Sequence, residues 1–317
     1  MTERLAFVMM FTAMAAFVVG LSVVAAKTGA GAGSGLPLVG ESERTDLVGS
    51  GQPPIQVCPG SKDAFSPVAA TRPAQPSGKL SARLSAALRT SLGSGRAHLS
   101  AGVIDTATGA EALYHASERY HAAGIAGADI LAALLYQHQQ AGSRVSPQDA
   151  GLAAKMIEKG SRTAAASLWQ AIGRRTGLLT ANRKLGLTHT IPGPGNAWHL
   201  TGTTVADQLQ LLTDLSAIPS PLHPACRRYE LTLMSKVAGG QRWGAPAAAS
   251  PGSSYAVTDG WQADPRHFVI NSVGVIGHAG HEFLVVILSR NWPTRAAGVA
   301  AVRAAAVAAV SAMTRSP

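Results

Sequence analysis

The chain has 317 residues, 46% of them hydrophobic and only 14% charged, which excludes the low-hydropathy, high-charge composition of disordered chains and provides for a sizeable core. Its formal net charge of +10 comes almost entirely from arginine, twenty residues against seven lysines. The arginines are scattered and not interleaved with aromatics, so no nucleic-acid partner is expected.

Residues 5 to 26 (LAFVMMFTAMAAFVVGLSVVAA) carry no charge, with Arg4 before them and Lys27 after. At about 1.5 Å per residue such a helix crosses a hydrocarbon core of about 30 Å. Residues 1 to 26 therefore read as an uncleaved signal anchor. That makes a single-pass protein of the cell membrane, its domain on the extracytoplasmic side. Val24-Ala25-Ala26 also fits a small-residue cleavage site, and cleavage there would give a secreted protein. Residues 27 to 78 are rich in Gly, Pro, Ser and Ala and read as an extended linker.

The two cysteines are Cys58, in the linker, and Cys226, deep in the remainder. In an exported protein they can form one disulfide or stay as two thiols, and the sequence leaves both open. Neither has metal-ligand spacing, and no metal or other cofactor is expected.

The texture changes at Lys79. KLSARLSAALRTSL spaces Leu80, Leu84, Leu88 and Leu92 four apart, one face of a helix. AHLSAGVID and AEALYH then read as a hairpin around a turn with Asp105 at its start and Gly109 at its end. A helical block follows, covering residues 124 to 141, 147 to 159, 162 to 173 and 178 to 186. Thr203 and Thr204, with Asp207 behind them, mark another helix start, and a further helix is expected from Pro224 to Val237. Three strands come next: SSYAVTDGW, HFVINSVGVI and HEFLVVILS, the last apolar on both alternations and so buried on both faces. His278 to Glu282 holds two histidines three apart at a Gly-flanked turn, a hairpin rather than a zinc site. The chain closes with an Ala-rich helix whose Val299, Val302, Ala306, Val310 and Met313 share one side, a core-packing helix. The fold class is α+β: a five-stranded antiparallel sheet flanked by terminal helices, with an all-helical lobe inserted.

These segments, in this order over residues 79 to 315 of a domain spanning 79 to 317, resemble class A β-lactamases and related penicillin-recognising serine hydrolases. The resemblance runs through LSAGVIDTATGAEALYHASERYHAAGIAGADILAALLYQ, KMIEKGSRTAAASLWQAIG, HLTGTTVADQLQLL and YAVTDGW. It implies three motifs: a serine and a lysine one helical turn apart for acylation, a Ser-Asp-Asn in the helical lobe, and a Lys-Thr-Gly strand that binds substrate carboxylate. The first falls here on Gly124 and Gly127, the second on Gly160-Ser161-Arg162 and the third on Thr258-Asp259-Gly260. No Ser-x-x-Lys and no Gly-x-Ser-x-Gly occurs anywhere in the chain. Glycine offers no group to attack, bind or titrate. Two glycines in one turn should also cost about 1 kcal/mol each in helix propensity, loosening the helix start or delaying it to Ala128 and leaving a wider, chemically blank pocket.

The expected function is therefore that of an inactive homologue of these hydrolases, which binds a ligand or protein at the cell envelope. A wall (peptidoglycan) peptide or an envelope protein would be the partner of a monomer. Ser161, Arg162 and Thr258 are the candidate binding residues, with Arg162 free to pair with Asp259 across the cleft or to meet an anion. The alternative is an active hydrolase, acting on β-lactams or peptidoglycan peptides through Ser161 as a relocated nucleophile. Trp198-His199 follows a PGPGN run that reads as a rigid irregular loop, where a ligand contact is open but packing of Trp198 on the helical lobe is the favoured expectation.

Overall fold

Ser77 ends its extended stretch by accepting a hydrogen bond from the Leu80 N–H (3.3 Å), and helix α1 (Gly78–Leu92) starts from that cap. Leu84 and Leu88 are fully buried and Leu80 and Leu92 pack at the margin of the core, as their spacing predicts. The hairpin follows as β2 (Leu99–Asp105) and β3 (Ala110–Tyr114). Its turn is closed by Asp105, which accepts from the Ala107 N–H through Oδ1 (2.9 Å) and from the Gly109 N–H through its carbonyl (2.8 Å). Gly109 supplies the positive φ of 72° that the turn requires.

The computed structural model describes residues 58 to 59 and 74 to 314, so the membrane-anchor reading of residues 1 to 26 and most of the linker lie outside the described residues. The main sheet has six strands in the order β1-β3-β2-β8-β7-β6, with β1 (Gln75–Pro76), β6 (Tyr255–Asp264), β7 (His267–His278) and β8 (His281–Ser289). The five expected strands are present and mutually antiparallel, but a sixth was not foreseen: β1 runs parallel to β3, pairing Gln75 with Ala110 and Pro76 with Glu111. Two residues are too short to show a period, and proline is tolerated there because the strand lies at the sheet edge. Together with the Ser77 cap, this strand puts the last residues of the expected linker inside the folded domain.

The helical lobe lies between β3 and β6. It comprises α2 (Ala126–Gln140), α3 (Pro147–Lys159), α4 (Arg162–Ala171), α5 (Arg174–Lys184), α6 (Val205–Ser216) and α7 (Pro224–Ser235). Helix α5 starts four residues earlier than its pattern suggests, because Gly177 interrupts the apolar period and its N-cap is Gly173 in the left-handed region, with no side-chain cap. Thr204 caps α6 by accepting from the Asp207 N–H (3.1 Å). A short ribbon of β4 (Tyr120–His121) and β5 (Gly202–Thr203), which no sequence pattern announces, ties the approach to α2 to the loop before α6.

Phe283 to Ser289 of β8 are all buried. The apolar double alternation is explained by α6 on one face of the sheet and α8 (Arg295–Thr314) on the other. At Gly102 of β2 a Cβ would stand 2.6 Å from Val205 and 2.7 Å from Leu209, so glycine lets α6 seat directly on the strand. Helix α8 is the one described helix long and apolar enough to cross a membrane. It packs instead against α1 and the sheet, with Val302, Ala305, Ala306, Ala309 and Val310 buried.

Cys58 and Cys226 form a disulfide with a Cα–Cα distance of 5.1 Å. The bond joins a point before β1 to the first turn of α7 and closes a loop spanning 168 residues of sequence. Replacing both cysteines with alanine is expected to lower unfolding free energy by about 3 kcal/mol, measurable as a shift in urea midpoint.

Candidate functional site

The sheet and the helical lobe enclose a cavity of about 410 Å³. Its lining gathers Gly124, Gly160, Ser161, Arg162, Thr258, Asp259 and Gly260, seven of the eight positions singled out in the sequence; Gly127 stays behind in α2. Trp198, His199, Gln241, Trp261 and Gln262 join them.

The turn that should carry a nucleophile is held firmly. Residues Ala123–Ile125 form a single 3-10 turn that runs directly into α2 at Ala126, so the helix start is neither frayed nor delayed to Ala128. Asn271 of β7, fully buried, donates through Nδ2 to the carbonyls of His121 (2.8 Å) and Ala122 (3.0 Å) and accepts from the Ser289 N–H (3.0 Å). Ala123 itself sits at φ 51°, a left-handed conformation unfavourable for a residue with a Cβ by about 1–2 kcal/mol.

The space a serine side chain would need at Gly124 is already occupied. A Cβ there would lie 2.9 Å from the Gly260 Cα and 3.2 Å from the Asp259 carbonyl oxygen; conversely, a Cβ on Gly260 would lie 2.5 Å from the Gly124 nitrogen and 2.6 Å from that of Ile125. Turn and strand thus touch backbone to backbone. The expectation of a wider pocket is corrected: at this point two glycines close the cleft instead of opening it. Gly127 faces Met156 and Ile157, where a Cβ would find ordinary contact at 3.4–3.5 Å but a lysine would enter an apolar wall.

Side chains alternate along β6. Asp259 points away from the cavity, fully buried, and its Oδ2 accepts from the backbone N–H groups of Trp243 and Gly244. Burial pushes its carboxyl up to about 6, against the opposing pull of Ser272 and those two amides. It forms no ion pair with Arg162, which removes pairing across the cleft as one of the two alternatives for that arginine. The Arg162 guanidinium lies instead 5.7 Å from the centroid of the Trp261 ring, which Arg295 also approaches, at 4.5 Å. Thr258, two residues before Gly260, faces the cavity.

Ser161 is the N-cap of α4: its Oγ accepts from the Ala164 N–H (3.3 Å), and its own N–H bonds the Lys155 carbonyl (3.1 Å). Gly160, at φ 63°, ends α3, and the Gln241 side chain rests against it. The second-motif region is therefore a tight passage from one helix to the next.

His199, which the sequence places on an irregular loop after the PGPGN run with a ligand contact left open, lines the cleft. Its imidazole is pushed toward the neutral form by burial first, then by the charges of Arg162 and His121. Trp198 packs edge-on to it at 5.6 Å and is nearly buried, as expected. Gln262 brings a buried Oε1 with no hydrogen-bond partner among the described residues. The cleft therefore offers one guanidinium, one neutral imidazole, amide and hydroxyl groups and an apolar floor of Met156, Ile157, Ala165 and Val237.

No family model matches the chain, and no curated protein does. The fold does match solved structures. PBP-A is 17% identical with a TM-score of 0.62, over 76% of this chain and 98% of that one. A β-lactamase from Desulfarculus baarsii is 21% identical with a TM-score of 0.61, over 75% and 98%. A class A β-lactamase from Mycobacterium abscessus is 17% identical with a TM-score of 0.62, over 74% and 100%. At these identities the likeness shows a β-lactamase-like fold.

Proposed function

We propose that this β-lactamase-like domain is a membrane-tethered, extracytoplasmic binding protein, which holds a wall peptide or a segment of an envelope protein non-covalently in the cleft and does not transfer acyl groups. The contact between Gly124 and Gly260 carries the reading, because it leaves neither a nucleophile nor the room for one at the head of α2. Ser161 does not replace it: its oxygen caps α4, and no hydrogen bond joins it to His199. The Arg162 guanidinium and the unpartnered Gln262 Oε1 support a polar ligand, since both have hydrogen-bonding capacity that a bound molecule would use. The uncharged run at residues 5 to 26 and the Cys58–Cys226 bond support an oxidising location outside the cytoplasm.

The test is to incubate the full chain with a labelled penicillin and weigh the intact protein. No covalent adduct is expected, and an adduct on any serine would overturn the reading. Ser161→Ala is expected to lower stability by about 1 kcal/mol through the lost cap, while both proteins leave a chromogenic β-lactam at its buffer rate. Turnover that disappears in Ser161→Ala would establish the serine as a nucleophile instead.

A further inference from the structure

A second cavity, of about 420 Å³, shares no lining residue with the cleft. It is formed where the β4–β5 ribbon meets the loop before α6, the β6–β7 turn and the residues after β8. Three arginines from three separate segments reach it: Arg119 before β4, Arg175 in the first turn of α5 and Arg290 after β8.

Each guanidinium is fastened by hydrogen bonds to backbone. Arg119 Nε donates to the His189 carbonyl (3.2 Å), Arg175 Nη1 to that of Pro192 (2.6 Å) and Arg290 Nη1 to that of Arg119 (3.0 Å). Arg290 also pairs with Glu118 through Nη2 (3.1 Å) and lies 4.6 Å from the centroid of the Tyr120 ring. Arg119 and Arg175 form no ion pair among the described residues, and their carbonyl bonds use one of the five donors that each guanidinium carries. Gly202 is part of the construction, because a Cβ there would stand 2.7 Å from Arg119 Cδ; its absence lets the arginine stem lie flat on the ribbon.

Against these three cations the cavity wall carries one carboxylate, Asp264, with His121, His267 and Asn291 as further polar groups. The rest of the wall is apolar. Ile191 is 43% exposed here, one of few large hydrophobic side chains so placed, beside Pro192, Pro194, Leu200 and Phe268. Arg119 and Arg175, two anchored guanidinium forks without an ion pair among the described residues, stand next to an exposed apolar wall and suit an anion attached to an apolar body, and a phosphate ester fits that description better than a bare ion does. A purely structural role for the arginines accounts for the carbonyl bonds but not for the exposed Ile191 beside them.

We propose that this cavity is a second binding site, taking a phosphate ester with an apolar substituent: the anion on Arg119 and Arg175, the apolar part on Ile191, Pro194 and Phe268. Two sources could supply that chemistry, the headgroup of an anionic lipid or a free phosphate ester of the envelope.

The experiment uses the full chain in nanodiscs of zwitterionic lipid and follows binding of phenyl phosphate by calorimetry, with inorganic phosphate and phenol as separate probes. Phenyl phosphate is expected to bind more tightly than either probe, and the affinity should fall about tenfold or more in Arg119→Gln and Arg175→Gln. Both positions are exposed, and unchanged melting temperatures would show that the variants fold. Arg303→Gln, exposed on α8 and in neither cavity, should leave phenyl phosphate binding unaltered. Displacement by soluble dihexanoylphosphatidylglycerol but not by glycerol phosphate would assign a lipid headgroup; displacement by both would assign a free ester. Equal affinity for phenol and phenyl phosphate, no binding at all, or the same affinity in both cavity variants would overturn the site.

Discussion

Gly260→Ala is expected to destabilise the domain by about 4 kcal/mol or more, above the usual 1–3 kcal/mol of over-packing, because the added methyl runs into the main chain of the facing turn. The methyl would stand 2.5 Å from the Gly124 nitrogen, 2.6 Å from the Ile125 nitrogen and 2.8 Å from the Gly124 Cα. No rotamer change relieves a collision with backbone. Either β6 withdraws, breaking its ladder with β7, or the turn leaves the Asn271 side chain. Chemical denaturation of wild type and variant measures the difference. The same contact predicts the fate of an attempt to rebuild a catalytic pair: Gly124→Ser with Gly127→Lys should lose stability and still fail to open a β-lactam. The serine Cβ would stand 2.9 Å from the Gly260 Cα, and the lysine would face Met156 and Ile157. Acylation of that double variant would show that the strand yields more readily than the geometry indicates.

The second large effect is on pH dependence. Asp129 of α2 and Glu230 of α7 are both fully buried, and each is raised further by a neighbouring carboxylate, Glu230 by Asp129 and Asp129 by Asp207. Burial is the main cause in both, pushing Asp129 up to about 7 and Glu230 well above its ordinary value. Gln208 Nε2 donates to Asp129 Oδ1 (3.0 Å), while Asp129 Oδ2 and both Glu230 oxygens have no hydrogen-bond partner among the described residues. A carboxyl with a raised pKa holds its proton more tightly in the folded chain than in the unfolded one. Stability is therefore full below about pH 4 and is lost as pH rises toward 7, for Asp129 alone by an amount on the order of 4 kcal/mol. Asp214, raised to about 7, and Asp259, raised to about 6, slope the same way. Asp129→Asn with Glu230→Gln should flatten the profile between pH 4 and 7 and raise stability at pH 8. An unchanged profile would place the pH dependence on Asp214 and Asp259.

Those two carboxyls also mark a limit of reading the sequence. In the sequence Asp129 is one acidic residue in an apolar run, and nothing local tells that Glu230, a hundred residues on, is buried beside it in the fold's interior. The fold was legible because its signals are local: the leucine spacing of α1, the Asp105–Gly109 turn, the Thr204 cap and the double alternation of β8. The candidate site was legible in outline for the same reason, since family order brought seven of eight motif positions to one cavity. What could not be read were the long-range approaches within it. Gly124 and Gly260 meet across more than a hundred residues, and a glycine's empty side carries no periodic trace of what fills it. Opposite charge alone suggests a pair of Asp259 with Arg162, whereas strand alternation turns Asp259 to the opposite face, toward the amides of Trp243 and Gly244. Strand β1 is too short to announce itself, and His199 enters the cleft on a loop whose path no pattern encodes.

Asn271 gives the cleft two unlike walls. Its side chain joins β7 to the carbonyls before the turn and to Ser289, the last residue of the buried run of β8, so the turn cannot shift alone without breaking bonds inside the sheet. The opposite wall is built from the side chains of Arg162, His199 and Gln241, carried on helix ends and loops. Shape selection among ligands would then come from the sheet side, which is rigid and the same for every visitor. Accommodation would come from the helical side, where side-chain rotation alone can remodel the surface. A family of related molecules sharing one flat edge suits such a cleft better than a single molecule matched on both sides.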